Sequence, residues 1–162
     1  MEQRKDKEKI LSAGTLIFVA CWAAYCASYL GRINYTAALT AIVADGVFSK
    51  SHAGFIGTVY FFCYGAGQIF SGILGDRVSP YKMIGAGLAG TVCANIIMPL
   101  CSSSYITMSI IWGLNGIVQS MLWTPVLYII ATVLPEEQRS RACLHIASSF
   151  PIGSLLSYVI SA

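Results

Sequence analysis

The chain has 162 residues, of which 56% are hydrophobic and only 10% charged, with a formal net charge of +3. Soluble domains carry about 25% charged residues, so this composition excludes an ordinary soluble enzyme or binding module. A chain this apolar is a membrane protein, and its length is best counted in spans.

The first nine residues, within "MEQRKDKEKI", bring Arg4, Lys5, Lys7 and Lys9 together with three acids. Alternating signs ahead of an apolar run read as a cytoplasmic tail that anchors topology, and no nucleic-acid partner is expected. Crossing the hydrocarbon takes about 20 apolar residues of helix. Five runs meet this length, at about 10–44, 53–74, 83–100, 105–134 and 141–162. Backbone groups in lipid must be satisfied internally, so the runs are helices. The expected fold class is all-α, a polytopic transmembrane helical bundle. The loops "GDRVSPYK" and "PEEQRS" fall on the same side as the tail. The tail and the segments "DRVSPYK" and "PEEQRSR" hold eight of the ten cations, which predicts a cytoplasmic N-terminus. The last run ends in "LLSYVISA" without a polar anchor, so the chain is expected to be a fragment of a longer protein.

Within the spans, polar and aromatic residues recur at helical spacing. Span one carries Trp22, Tyr25, Tyr29, Arg32 and Thr36; span two, Tyr60, Tyr64 and Gln68. Span four carries Trp112, Asn115, Gln119 and Trp123; span five has His145 near Ser148, Ser149 and Pro151. The expectation is that these stripes converge on one aqueous cavity; interhelical hydrogen bonding is the alternative. Span two is also dense in glycine (Gly54, Gly57, Gly65, Gly67, Gly72 and Gly75), which predicts close helix packing.

Arg32 sits in "SYLGRINY". It either ends the span at the outer interface, its charge snorkelling to water, or lies inside the bundle if the helix runs on through "INYTAALTAIVA". Inside, its charge costs at least about 2.5 kcal/mol without a partner. The spans contain no carboxylate, because Asp45 and Asp76 stand at span ends. A guanidinium with no internal acid suits an anionic solute, which its planar fork grips bidentately. The six cysteines are scattered through or beside apolar runs, and no His/Cys cluster forms, so neither a metal nor another cofactor is expected. Nor is catalysis: His145 and its neighbouring serines have no partner acid.

The loop "GILGDRVSPYK" resembles the signature between helices two and three of the major facilitator superfamily, through Gly72, Leu74, Asp76 and Arg77. Within that superfamily "YLGRINY" and "QSMLWTP" are similar to helix-one and helix-four segments of the organophosphate:phosphate antiporter branch. The resemblance implies a partial N-terminal transmembrane domain, helices 1–5 of a six-helix half in the plasma (inner) membrane, with the C-terminal transmembrane half missing. It implies transport of a small organic anion, a phosphorylated sugar or glycerol phosphate, by alternating access. Arg32 would then bind the phosphate, with Tyr29, Tyr60, Tyr64, Gln68, Asn115 and Gln119 shaping the pocket. Asp76, Arg77, Lys82 and Arg139 would form a cytoplasmic latch. Two positions depart from the branch: Gln68 stands where it has a basic residue in helix two, and the helix-five histidine of its glycerol-3-phosphate type falls near Phe150, with His145 about a turn and a half earlier. A carboxylate, sugar or drug substrate therefore stays open, as does a sensor of sugar phosphates built on the same fold.

Overall fold

The computed structural model describes the backbone from Glu2 to Ser161 and the side chains from Leu11 to Ser161. All regular structure among these residues is helical: α1 (Glu2–Ala44), α2 (Lys50–Gly75), α3 (Pro80–Ile97), α4 (Tyr105–Val133), α5 (Glu136–His145) and α6 (Ser149–Ser161). Five segments are long and apolar enough to cross a membrane, the last running from Glu136 to Ser161 through α5 and α6. Their outer faces are apolar too. Phe62 is 78% exposed and Leu100 80%, as expected of surfaces that meet hydrocarbon rather than water.

Local chemistry sets the helix ends. Gly46 has φ +68°, the left-handed turn that lets the chain leave α1. The Ser49 and Ser104 hydroxyls cap α2 and α4 by accepting the amides of His52 and Thr107. Pro80 opens α3 where its missing N–H is harmless.

The fifth span is broken. A 3-10 turn at Ile146–Ser148 separates α5 from α6. Pro151 explains it: with no N–H, it offers nothing to the carbonyl of Ala147 four residues back, and the chain tightens. The indole of Trp22 donates to the Ser148 hydroxyl at 3.0 Å, tying the break to α1.

Helix α4 is the central element. It packs against α2 on one side and α3 on the other, while α6 lies along α1. Close approach explains two of the glycines. A Cβ on Gly116 would stand 2.5 Å from the Tyr60 carbonyl, and one on Gly31 would collide with the Thr91 methyl. The expected close packing is confined to the face of α2 that meets α4. Gly54, Gly57, Gly65 and Gly72 have nothing within 4 Å of where a Cβ would stand, whereas Gly67 meets Ser120. Glycine density permits close approach, but only a facing helix makes use of it.

Candidate functional site

Helix α1 continues for twelve residues beyond Arg32, to Ala44, so Arg32 lies within the span and does not end it. Its guanidinium carbon lies over four aromatic rings: Tyr64 at 4.9 Å, Phe61 at 5.2 Å, Tyr60 at 5.4 Å and Tyr29 at 5.7 Å. A desolvated cation–π contact is worth about 2 kcal/mol and a mid-span arginine costs about 3 kcal/mol, so the rings can hold the charge without an acid. They do not engage its five N–H donors directionally. Among the described residues no carboxylate or hydrogen-bond acceptor pairs with Arg32. The nearest acid along α1 is Asp45, thirteen residues or about 20 Å away along the helix axis. The guanidinium thus retains its full capacity to grip an oxyanion.

Beside it lies a cavity of about 260 Å³, lined by Arg32, Thr36, Tyr60, Phe61 and Trp112, with Gly54 and Gly57 forming the α2 wall. The absence of side chains at those two glycines makes the room. Tyr35 and Trp112, with ring centres 5.3 Å apart, divide it from a more apolar cavity of about 300 Å³. The Tyr35 hydroxyl fixes this wall by donating to the Ala53 carbonyl at 2.8 Å.

The expected convergence on one cavity holds only in part: of the striped residues, Arg32 and Thr36 of α1, Tyr60 of α2 and Trp112 of α4 line it. Tyr29, Tyr60 and Tyr64 surround Arg32. Gln68 lies one turn beyond Tyr64, half-buried, and does not line the cavity. Asn115 and Gln119 are buried and turned toward the backbone of α1. The Asn115 amide donates to the Gly31 carbonyl at 3.1 Å, and the Gln119 amide to the Ser28 carbonyl at 3.1 Å. The Tyr60 hydroxyl donates to the Gln119 oxygen at 3.0 Å. His145 is at the other end of the bundle, lining a pocket with Thr15 and Phe18. Helical spacing identifies a face, but it does not identify what that face meets.

The latch residues are not joined in this conformation. Asp76, Arg77, Lys82 and Arg139 are all exposed, and among the described residues no ion pair links them. The Arg139 side chain donates instead to the Leu134 carbonyl at 3.0 Å. Asp76 follows the last turn of α2 beside Thr124 and Tyr128 of α4.

Two further participants do not stand out in the sequence. Phe61 sits three residues before Tyr64, so the same helical spacing reaches it, but an isolated phenylalanine in an apolar span draws no notice. Asn95 is a lone amide within α3, and that rarity is its signal. Its amide nitrogen donates to the Gly31 carbonyl at 2.9 Å and the Thr91 carbonyl at 2.8 Å, and its oxygen accepts from Asn34.

An all-helical bundle whose mid-span arginine lines a cavity has the form of a solute carrier, and comparisons with known proteins agree. The family model "Major Facilitator Superfamily" matches residues 21–162, and the chain belongs to that family of membrane transporters. A "Probable hexose phosphate transport protein" of Chlamydia pneumoniae is 29% identical over 160 residues, covering 99% of this chain and 35% of that protein. The "Membrane sensor protein UhpC" of Escherichia coli K12 is 33% identical over 103 residues, 64% of this chain and 23% of the sensor. A "Glycerol-3-phosphate transporter" of Bacillus subtilis is 30% identical over 112 residues, 67% of this chain and 25% of the transporter. The chain thus spans about a third or less of the length of these relatives. No solved structure matches it significantly.

Proposed function

We propose that this chain forms the N-terminal part of a secondary transporter for a small phosphorylated solute, a sugar phosphate or glycerol phosphate. Arg32 is the anion anchor. The observation that carries this reading is the Arg32 guanidinium: inside the bundle, held over four rings, without an acid among the described residues, beside a cavity of about 260 Å³. The names of the relatives favour a phosphate ester over a carboxylate or neutral sugar. Tyr29, Tyr60 and Tyr64 frame the anion, and Gln68, one turn beyond Tyr64, stands outside this cavity. A second transmembrane half supplies the opposite wall, and the two halves rock about the site in alternating access. Asp76, Arg77, Lys82 and Arg139 pair in a different conformational state from this one. In this reading the cation-rich tail and loops face the cytoplasm, as the distribution of Lys and Arg favours, and the protein sits in the plasma (inner) membrane.

The test uses the complete protein in proteoliposomes loaded with inorganic phosphate. External hexose 6-phosphate or glycerol 3-phosphate should exchange with the internal phosphate, and Arg32→Ala should abolish the exchange. Unchanged exchange by Arg32→Ala removes the anchor and the reading with it. The similarity to the sensor UhpC supports a second reading, in which the protein binds sugar phosphate and signals without moving it. Saturable binding with no flux, lost in Arg32→Ala, would select that reading.

A further inference from the structure

We infer that Asn95, Asn115 and Gln119 are positioning residues that set Arg32 by hooking the carbonyls of the α1 turn beneath it, and that they do not themselves touch the solute. The inference rests on the reading of Arg32 as the anion anchor.

A helical side chain leans toward the N-terminus and covers the turn before its own Cα. The turn under Arg32 runs from Ser28 to Gly31. Its Ser28 carbonyl, the natural helical acceptor for the Arg32 amide, also accepts the Gln119 amide at 3.1 Å. The Gly31 carbonyl accepts Asn95 at 2.9 Å and Asn115 at 3.1 Å. The Tyr35 amide, whose helical acceptor would be that same Gly31 carbonyl, donates to the Asn34 side chain at 2.8 Å. Side chains from α3 and α4 therefore grip α1 on the two carbonyls flanking the arginine's root.

Gln119 acts twice. Its nitrogen holds Ser28 and its oxygen receives the Tyr60 hydroxyl at 3.0 Å, which orients one of the rings over the guanidinium. Gly31 is needed for the grip, because a Cβ there would collide with Thr91 and stand 3.1 Å from the Asn95 nitrogen. None of the three amides lines the cavity beside Arg32.

The test uses isosteric apolar variants of the complete protein, Asn95→Leu, Asn115→Leu and Gln119→Met, in phosphate exchange and in direct binding of inorganic phosphate. Each loses hooks and keeps volume. The expected result is a KM for phosphate raised roughly tenfold, the scale of a lost hydrogen bond, with kcat and melting temperature little changed. In an Arg32→Lys background, which blunts the anchor, the same variants should add nothing further. Gln119→Asn keeps the amide but falls one carbon short of Ser28. It should give the same KM shift, and it serves if Gln119→Met does not reach the membrane. The inference is overturned if KM stays unchanged while melting temperature or kcat falls, or if the losses add in full to that of Arg32→Lys. It also falls, with the anchor intact, if the variants exchange phosphate normally while Arg32→Ala does not. Normal exchange by Arg32→Ala instead removes the functional reading on which it stands.

Discussion

Arg32 and Arg139 are the same residue put to opposite uses. Arg139 sits at a helix junction, exposed, and spends its side chain on the Leu134 carbonyl. Arg32 sits mid-span, half-buried among four rings, and gives its donors to no acceptor among the described residues. A cation at a helix end finds unpaired backbone carbonyls at once. A cation in the middle of a helix finds the nearby carbonyls already bonded within the helix, and no acceptor among the described residues takes up the Arg32 donors. Replacing Arg32 by Ala should therefore cause the largest loss. A bidentate charge-assisted pair in a desolvated site is worth several kcal/mol, so phosphate exchange in proteoliposomes should fall by about a hundredfold or more. Arg32→Lys should recover little of it, since an ammonium has no fork. Recovery to near wild-type rates would reduce the site to a point charge.

The contrast also runs along glycine. A Cβ on Gly116 would meet the Tyr60 carbonyl at 2.5 Å, whereas one on Gly57 would find nothing within 4 Å, and Gly57 lines the Arg32 cavity. One substitution should thus do two different things. Gly116→Leu overpacks the α2–α4 contact, at a typical cost of about 1–3 kcal/mol, and should lower the melting temperature in detergent. Gly57→Leu should leave that temperature in place and cut transport by occupying the cavity. Equal thermal losses in both would mean that the α2 glycines meet a partner along their whole length.

Tyr64 comes next. It is the nearest ring to the guanidinium, at 4.9 Å. Tyr64→Leu keeps an apolar side chain and removes the quadrupole, and should weaken phosphate binding by about three- to tenfold, the scale of one partly desolvated cation–π contact. Isothermal titration with inorganic phosphate measures it, and an unchanged affinity would leave the ring as packing alone.

The sequence made the spans legible because length and hydropathy are properties of the chain itself. Arg32 and the tyrosines were legible for a similar reason: spacing of three and four residues puts them on one face whatever the neighbours are. What was not legible is what each face meets. Asn115 and Gln119 share the periodicity of cavity residues, yet they bury against α1, because a carbonyl with a spare lone pair at Ser28 or Gly31 leaves no trace in a side-chain pattern. Asn95 carries no stripe at all, and its role exists only through the approach of α3 to Gly31. The break at Ile146–Ser148 follows from Pro151, but a proline inside an apolar run gives a kink's position without its form.

Arg139→Ala should have the smallest effect and the most informative one, because it separates affinity from motion. In this conformation Arg139 pairs with no other described helix-end charge, so its loss removes one hydrogen bond at the end of α4. Phosphate affinity should be unchanged. If Arg139 joins Asp76 in another state, the pair is an exposed one, worth about 0.2–1 kcal/mol, and turnover should shift by no more than about fivefold while KM holds. Raising the salt concentration screens such a pair, so wild-type turnover should move toward that of Arg139→Ala as ionic strength increases. Arg32, shielded inside the bundle, should show much less of this salt dependence. A KM that rises in Arg139→Ala would place the two arginines on one site and erase the distinction between them.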